Sequence, residues 1–379
     1  ATFRGEMARV SKPDAPLTAD SFGVVPGRFW HQLDDGRFQC DVCPRFCKLR
    51  PGQRGLCFVR QGVEDGIVLT TYGRSSGYCI DPIEKKPLNH FLPGSPVLSF
   101  GTAGCNLACK FCQNWDISKS REMERLADHA PPEKIARVAK RLGCKSVAFT
   151  YNDPVIFHEY AVDVAQACRE VGVKTVAVTA GYHAPEARAE FYNHMDGANV
   201  DLKAFTERFY KQVCAGSLAD VLDTLKYLKH ETDVWFEITT LLIPDENDSE
   251  SEIEEMTQWV FENLSPDVPV HFSAFHPDYR MNDKQRTPSD TLFRSRQIAL
   301  KNGLHYVYTD NVHDEDGGST YCHNCRAPLI GRDWHELKSW GLTSDGRCAT
   351  CRTPCPGVFD GPPGRWGRKR KSVKLREFA

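Results

Sequence analysis

Three cysteines are spaced closely enough to hold one inorganic cofactor: Cys105, Cys109 and Cys112 form a C-x3-C-x2-C pattern. The apolar run 96–100 before them is typical of a strand, so all three would project from one loop. Such thiolates can hold three irons of a 4Fe–4S cluster, which normally takes four cysteines. The spacing therefore predicts a cluster with one iron open to a non-protein ligand. The alternative, three buried structural thiols, gives no reason for this spacing after a strand.

A second set of cysteines forms two C-x2-C pairs separated by 22 residues: Cys322, Cys325, Cys348 and Cys351. Two such pairs are typical of a zinc ribbon, in which four thiolates surround the ion tetrahedrally. The spacing also suits a rubredoxin-like iron site. The pattern therefore predicts a metal knuckle that holds zinc or iron. Cys355 lies outside the two pairs and is interpreted as a spare thiol.

A third set of cysteines precedes the apolar run, at Cys40, Cys43, Cys47 and Cys57. Turns at Pro51-Gly52 and Gly55 would bring the fourth cysteine back toward the first three. This arrangement predicts a second metal site. Unligated buried thiols and a redox disulfide are the alternatives.

The composition is that of a globular chain in a reducing compartment. Of the 379 residues, 41% are hydrophobic and 26% are charged, which is enough apolar material for a large core. We find neither a transmembrane run of about 18 apolar residues nor, in residues 1–20, the apolar segment of a signal peptide. Sixteen clustered cysteines in so long a chain favour metal binding over a secreted disulfide scaffold. We therefore expect a cytoplasmic protein without a membrane partner.

Apolar runs alternate with amphipathic segments through the middle of the chain. Helices are predicted between the strands, for example over 133–142 and from 154 to about 170. The strands are predicted at 97–101, 146–151, 174–179, 198–202, 234–242, 268–275 and 305–308. This alternation implies right-handed βαβ units and a parallel sheet, hence the α/β class. In such folds, binding sites lie at the carboxyl ends of the strands.

The chain divides into four regions by composition. We place a cysteine-rich N-terminal region at 1–95, the α/β region at 96–318, the metal knuckle at 319–360 and a basic tail at 361–379. The segment 364–379 holds seven basic residues and one acidic residue. Such a tail could contact nucleic acid or a membrane, but a solvated, disordered end is the preferred interpretation. Nucleic acid is therefore not an expected partner.

Polar side chains follow several of the predicted strands. They offer an amide, carboxylates, a lysine and a histidine: Asn152, Asp153, Asp201, Lys203 and His276. Because the carboxyl ends of parallel strands meet at one edge, these groups and the cysteine loop predict a ligand cavity. Taken singly, each has a plainer explanation, such as helix capping for Asp153.

These segments together resemble the radical S-adenosylmethionine (SAM) enzymes, in the activating-enzyme group typified by pyruvate formate-lyase activating enzyme. More closely, they resemble the radical SAM enzymes of the AmmeMemoRadiSam system. The likeness covers nearly the whole chain, from Cys40 to Pro356. Besides the terminal knuckles, it includes the segments 40–47, 51–57, 105–115, 150–154, 200–203 and 271–277.

The resemblance implies a partial (β/α)6 barrel with SAM as cofactor. It also implies that Cys105, Cys109 and Cys112 hold the 4Fe–4S cluster and that SAM binds the open iron. Two segments depart from the family's pattern. Asn-Asp-Pro stands at 152–154 in place of Asn-Glu-Pro, and Thr-Ala-Gly-Tyr stands at 179–182 in place of Thr-Asn-Gly-Tyr.

SAM needs acceptors for its ammonium, a cation for its carboxylate and an apolar slot for its adenine. The resemblance places five residues of this chain near it. Asn152 and Asp153 would receive the ammonium. Lys203 would meet the carboxylate, with Asp201 orienting that lysine or holding a cation. His276 would contact the ribose or adenine.

The predicted function is reductive cleavage of SAM to a 5′-deoxyadenosyl radical, which abstracts hydrogen from an unidentified substrate. One alternative is an activase that installs a glycyl radical on a partner protein. A remote alternative is a non-catalytic iron–sulfur or zinc protein for binding or electron transfer, which would need no SAM pocket. The expected partners are an electron donor such as flavodoxin or ferredoxin, and either Memo-like and AMMECR-like proteins or a protein substrate.

Overall fold

The computed structural model describes residues 23–119 and 129–378. Residues 1–20, for which we predict no signal peptide, lie outside the described residues. The N-terminal region contains two three-stranded antiparallel sheets. Their strands are β1 (Val25–Pro26), β2 (Trp30–Gln32), β3 (Phe38–Cys40), β4 (Lys48–Leu49), β5 (Arg60–Val63) and β6 (Gly66–Leu69). One sheet has the order β1-β6-β5 and the other β2-β3-β4.

The central sheet contains the seven predicted strands. Its first eight members along the chain are β7 (Tyr78–Pro82), β8 (Pro96–Phe100), β9 (Ser146–Phe149), β10 (Lys174–Thr179), β11 (Gly197–Asp201), β12 (Trp235–Leu242), β13 (Val270–Ala274) and β14 (Val307–Asp310). Strands β8 to β14 run parallel in chain order, and β7 pairs with β8 in the antiparallel sense. The prediction of an α/β fold with a parallel sheet is confirmed. At least one helix follows each of the six strands β8 to β13, and β14 is a seventh parallel strand.

The helices lie mainly between the parallel strands. They are α1 (Trp115–Ser118), α2 (Pro132–Arg141), α3 (His158–Glu170), α4 (Pro185–Asn193), α5 (Glu207–Phe209), α6 (Leu218–Glu231), α7 (Glu250–Asn263), α8 (Ser289–Lys301) and α9 (Glu315–Gly318). Short 3-10 helices occupy Ile83–Lys85, Pro154–Phe157 and Leu375–Glu377, and a π-helix occupies Tyr210–Cys214. Helix α2 begins at a proline and buries one apolar face, and a serine side chain caps the start of both α6 and α7.

The C-terminal part adds a small sheet and one more strand of the central sheet. The antiparallel small sheet consists of β15 (Thr320–Tyr321), β16 (Pro328–Asp333) and β17 (Glu336–Trp340), and β18 (Lys371–Val373) pairs with β7. The interpretation of the tail as a disordered end is therefore wrong, although most of its described residues are exposed to solvent. Val373 and Leu375 enter the core at 6% and 0% exposure, and this burial fixes the tail despite its charge.

The main core lies between the central sheet and its helices. Aromatic rings from β8, β9 and the first turn after β9 meet there, with Phe100 and Phe149 at 5.5 Å between centroids and Phe157 packed beside both. Because Phe100 and Phe149 are the last residues of β8 and β9, this packing fixes the strand ends from which the following loops begin. In the described chain, we find no helix with the length and apolar character needed to cross a bilayer.

Candidate active site

A cavity of about 260 Å³ opens at the carboxyl edge of the central sheet. All seven parallel strands contribute to its wall, each near its carboxyl end. In the order β8 to β14, these contributions include Cys105, Thr150, Thr179, Asp201, Leu241, Ser273 and Asn311. The structure thus brings the cysteine loop and the polar strand ends to one cavity, as the topology of a parallel sheet requires.

The three cysteines of the C-x3-C-x2-C loop all line this cavity. The backbone of the π-helix holds the loop, because the amides of Ala108 and Lys110 donate to the carbonyls of Cys214 and Val213 at 2.8 and 3.0 Å. Phe111 is buried, and its ring lies 5.9 Å from that of Phe209. The two rings therefore pack together and cover one side of the loop, while Cys105 and Cys112 stay partly exposed.

The loop suits a cluster better than a single ion. Tetrahedral thiolates around one ion bring their sulfurs to about 3.8 Å from one another, since each metal–sulfur bond is about 2.3 Å. Among the described residues, Cys105, Cys109 and Cys112 do not bring all their sulfurs within 4.8 Å of one another. A 4Fe–4S cluster places its inorganic core between the thiolates and so needs the wider separation and an adjoining space. The donor set and the cavity fit that cofactor.

The three thiols differ in their electrostatic surroundings. A hydrogen bond with Cys214, together with nearby Lys203 and Lys119, lowers the pKa of Cys109 to about 7 against the opposing effect of burial. Burial raises the pKa of Cys105 to about 12. Cys109 is therefore the thiol most readily deprotonated for a metal. Sequence reasoning missed the role of Cys214, which follows no metal spacing and is brought to the loop by the π-helix.

Asn152 fastens the start of the cysteine loop to the end of β9. Its Oδ1 accepts from the amide of Thr102 at 3.2 Å, and its Nδ2 donates to the carbonyl of Gly104 at 2.8 Å. A Cβ at Gly101 would overlap the carbonyl oxygen of Thr150, so the close approach of the two strand ends requires glycine. The buried amide thus positions the loop as well as lining the cavity.

Asp153 joins the ends of β9 and β10. Its carboxylate accepts from the amides of Val155 and Ala180 at 3.2 and 3.1 Å and from the hydroxyl of Thr179 at 2.9 Å. Burial raises its pKa against these donors. The side chain therefore caps the turn at 154–157, as its plainer interpretation suggested, while it also lines the cavity.

Lys203 supplies a cation to the cavity. Its Nζ lies 2.8 Å from Asp201 Oδ2 and 5.8 Å from the centre of the Phe111 ring. Burial alone would lower the pKa of Lys203, but the charges of Asp201 and the nearby thiols outweigh it and raise the pKa well above its usual value. The lysine is therefore held protonated beside the cysteine loop.

His276 does not lie with the other four site residues. It is exposed on the loop after β13, where its nearest polar contact is the carbonyl of Pro277 at 3.5 Å, and it is not part of the cavity wall. Conversely, Asn311 was missed. It takes a positive φ just past β14 and donates to Ser273 Oγ at 2.8 Å. An asparagine three residues after the predicted strand 305–308 was the available signal.

Glu237 is another strand residue that the structure places away from the cavity. It lies near the start of β12, fully buried, and its Oε2 lies 2.7 Å from Nε2 of His271. It also accepts from the backbone amides of Asn89 and His90. This carboxylate therefore belongs to the opposite end of the sheet from the site.

The C-terminal cysteines form a compact group. The four sulfurs lie within 4.8 Å of one another, with 3.6 Å between Cys322 and Cys351 and 3.7 Å between Cys325 and Cys348. These separations match four thiolates around a single tetrahedral ion. The sulfur of Cys355 lies elsewhere, 3.8 Å from Nδ1 of His90. The predicted grouping of these four cysteines is confirmed.

Comparison with known proteins agrees with this site. The profile of the Radical SAM superfamily matches residues 100–260. An uncharacterized protein of Methanocaldococcus jannaschii is 38% identical over 85% of this chain and 96% of its own length. A pyruvate formate-lyase-activating enzyme of Clostridium pasteurianum is 24% identical over 46% and 72% of the two chains. A 4-hydroxyphenylacetate decarboxylase activating enzyme of Clostridioides difficile is 21% identical over 62% and 78%.

The superfamily match begins at the last residue of β8 and includes the cysteine loop and strands β9 to β12, whose ends form much of the cavity. The superfamily binds an iron–sulfur cluster and SAM, which is the cofactor pair that the three thiols and the polar strand ends fit. The likeness to the archaeal protein also includes most of the chain outside the superfamily match. This chain belongs to the radical SAM superfamily.

Proposed function

We propose that this enzyme cleaves SAM reductively and uses the product to abstract a hydrogen atom from its substrate. A 4Fe–4S cluster held by Cys105, Cys109 and Cys112 would supply the electron that converts SAM to a 5′-deoxyadenosyl radical and methionine. The observation that carries the proposal is a single cavity in which this cysteine loop faces a lysine held by a carboxylate.

The other residues of the cavity would bind and orient SAM. Lys203 would pair with the carboxylate of SAM, and Asp201 fixes the direction of that lysine. Asp153, with Asn152 beside it, would accept from the ammonium of SAM. For His276 to reach the ribose or adenine, SAM must extend beyond the cavity wall toward the loop after β13. Phe111 and the apolar lining exclude water from the reacting groups.

A glycyl-radical activase is the second candidate function. It is favoured by two relatives whose names are activating enzymes, one for pyruvate formate-lyase and one for 4-hydroxyphenylacetate decarboxylase. Under this proposal, the substrate is a backbone glycine of a partner protein. Incubating the reduced enzyme and SAM with candidate partners would then give a stable protein-borne radical by electron paramagnetic resonance. A small-molecule enzyme would give no such signal.

We also propose that the central sheet and its helices form a partial (β/α)6 barrel, that the C-terminal cysteines hold a metal, and that the enzyme acts with the partners named below. Zinc would occupy the compact C-terminal cysteines in a ribbon, with a rubredoxin-like iron as the alternative. A flavodoxin or ferredoxin would deliver the electron. The motifs at 40–57 and the terminal knuckles support a place in the AmmeMemoRadiSam system, with Memo-like and AMMECR-like proteins as partners in a reducing cytoplasm.

Anaerobic reconstitution of the full chain with iron and sulfide tests the core of the proposal. After addition of dithionite and SAM, we expect 5′-deoxyadenosine by chromatography. Cys109→Ala should lose this product and the part of the cluster signal that belongs to the active-site cluster. Cys168→Ala is the matched control, because this thiol is buried in α3 away from the cavity, and it should retain both.

Two results would contradict the proposal. One is a reconstituted wild-type enzyme that forms no 5′-deoxyadenosine with dithionite and SAM. The other is an unchanged cluster spectrum in Cys109→Ala, since the thiol could not then be a ligand. Folding of each variant is checked by circular dichroism, so that a lost cluster is not mistaken for a lost fold.

A further inference from the structure

The N-terminal cysteines surround a second, enclosed cavity. Its wall includes all four sulfur-bearing residues of this set, which are Cys40, Cys43, Cys47 and Cys57. The pairing of β3 with β4 brings the first and third together, because the amide of Cys40 donates to the carbonyl of Cys47 at 2.9 Å. The amide of Phe46 donates to the carbonyl of Cys43 at 3.1 Å and closes the turn between them.

The fourth cysteine returns to this cavity across Gly55. The sulfurs of Cys47 and Cys57 lie 3.6 and 3.7 Å from the position that a Cβ would take at Gly55. The amide of Gly55 donates to the carbonyl of Arg60, and that of Phe58 to the carbonyl of Gly55. This turn therefore points the last sulfur toward the first three, as the sequence suggested.

The spacing of the sulfurs separates this set from the C-terminal set. In the described parts of the chain, the C-terminal four lie within 4.8 Å of one another, and no three of the N-terminal sulfurs do. In the described residues, which include all sixteen cysteines, the structure contains no disulfide, so all four sulfurs of the set are available as ligands. Four cysteines around an enclosed space, too far apart for one ion, match the ligand number of a 4Fe–4S cluster.

We propose that Cys40, Cys43, Cys47 and Cys57 hold a second 4Fe–4S cluster, fully ligated by protein. Two arginines, Arg45 and Arg60, line the same cavity. Arg60 is only 2% exposed and also pairs with Glu159 at 2.6 Å. Arg45 donates to the carbonyls of Asn106 and Ala215. Because the buried Arg60 is already paired with Glu159, the partly buried Arg45 is the guanidinium whose charge would offset the net negative charge of a cluster with four thiolates.

The two sites are separated by one segment of backbone. Gly104 has φ +86°, and a Cβ there would overlap the carbonyl oxygen of Cys57, so only glycine permits this contact. The next residue, Cys105, lines the active-site cavity, and Asn106 lines the N-terminal cavity. A cluster in each cavity would therefore approach the other through residues 104–106.

This arrangement suits electron entry, an inference that rests on the proposed function. A fully ligated cluster has no open iron for SAM, so its chemistry is electron transfer. A one-electron donor protein of the ferredoxin or flavodoxin class would be oxidised as it reduces the N-terminal cluster by one electron. That cluster would return to its oxidised state as it passes the same electron to the cluster at Cys105, Cys109 and Cys112.

Counting acid-labile sulfide tests the N-terminal cluster site without an activity assay. After anaerobic reconstitution of the full chain, we expect about eight acid-labile sulfides in the wild type and about four in the Cys105/Cys109/Cys112→Ala variant. A Cys40/Cys43/Cys47/Cys57→Ser variant should also hold about four, at the other site. Sulfide is measured because a mononuclear iron or zinc at the C-terminal knuckle contributes none.

The outcomes separate the two proposals. If the Cys105/Cys109/Cys112→Ala variant retains no sulfide, or holds zinc at the N-terminal set, the second cluster is wrong while the proposed function stands. If the wild type holds about four sulfides and that variant keeps all of them, the proposed function fails instead. Cys144→Ser, which changes a buried thiol outside every set, should keep the wild-type count and control for misfolding.

The choice of reductant distinguishes an electron-relay role of the N-terminal cluster from a purely structural role. In Cys57→Ser, dithionite should still reduce the active-site cluster, seen by electron paramagnetic resonance. Reduction by flavodoxin should slow by about tenfold or more, because the entry cluster is lost or altered. Equal flavodoxin rates in Cys57→Ser and in the Cys144→Ser control would overturn the relay role.

Discussion

The active-site loop and the C-terminal knuckle use the same side chain in opposite ways. At the knuckle, four sulfurs lie within 4.8 Å of one another and leave no room for another ligand. At the active site, Cys105, Cys109 and Cys112 stand apart along the wall of a 260 Å³ cavity. Closed coordination is typical of structural metal sites, and an open position is typical of catalytic ones.

The supporting structure explains this difference. Each pair at the knuckle is a tight turn closed by local backbone hydrogen bonds, such as Arg326 to Cys322 and Arg352 to Cys348, both at 2.9 Å. The active-site loop instead relies on distant partners, namely Asn152 from the end of β9 and the π-helix residues Val213 and Cys214. Local turns are sufficient to form a compact ion site. In the open site, the cysteines are held apart by contacts with the central sheet and the π-helix.

The largest effect should come from removing one active-site thiol. Cys105→Ala is expected to lower 5′-deoxyadenosine formation by at least about 1,000-fold, since the cofactor supplies the chemistry. Cys348→Ala is the matched change at the knuckle and should leave the rate per active-site cluster within about twofold. Product formation normalised to the cluster spectrum is the measurement. Equal losses in both variants would remove the distinction between the sites.

Removal of the knuckle metal should act on stability instead. A structural ion contributes its binding free energy to folding. We expect Cys348→Ala, or chelation of the wild type, to lower the melting temperature by roughly 5–10 °C. Cys355→Ala is the control, because this thiol lies outside the compact group. A knuckle variant that melts like the wild type would show that the four cysteines hold no structural metal.

Loss of the cavity cation should have an intermediate effect. Lys203→Met removes the charge that would meet the SAM carboxylate and leaves Asp201 without its partner at 2.8 Å. We expect the Kd for SAM to rise by about tenfold to hundredfold, the range of a charge-assisted hydrogen bond. Lys174→Met breaks a surface pair with Asp196 and should leave the Kd for SAM unchanged. Calorimetric titration of the two variants with SAM measures these Kd values. If the two variants have equal Kd values, Lys203 does not take part in SAM binding.

The smallest effect concerns the buried histidine below the cavity. His271 lies between Glu237 at 2.7 Å and Asp310 at 3.0 Å, and its ring stacks on Tyr308, whose hydroxyl bonds Thr320 at the knuckle sheet. Burial alone would lower the pKa of His271, but the two carboxylates raise it to about 9. Through Tyr308 and Thr320, His271 therefore connects the central sheet to the small C-terminal sheet.

A raised pKa makes the contribution of His271 pH-dependent. The stabilisation is complete below the unfolded pKa of 6.5 and is lost as pH rises through about 9. We expect the free energy of unfolding to fall by about 2 kcal/mol between about pH 6 and pH 8.5. His271→Gln should flatten that dependence in denaturant titrations. A wild-type stability that does not fall over this range would contradict the assigned charge.

The sequence alone determined the alternation of elements and the compact C-terminal group. The seven parallel strands lie where the apolar runs predicted them, because a strand buried on both faces must be apolar throughout. The two C-x2-C pairs could be read directly, because each pair is a local turn. The antiparallel strands β7 and β18 were not predicted, since a three-residue strand such as Lys371–Val373 has no periodic signal.

The tertiary structure alone decided which polar groups share the cavity. It kept Asn152, Asp153, Asp201 and Lys203 at the wall, left His276 outside it, and added Asn311. It also brought Cys214 to Cys109 and the carbonyl of Cys57 to Gly104. These contacts join residues far apart in the chain, and their distances depend on how strand ends and loops pack, which spacing along a sequence does not encode.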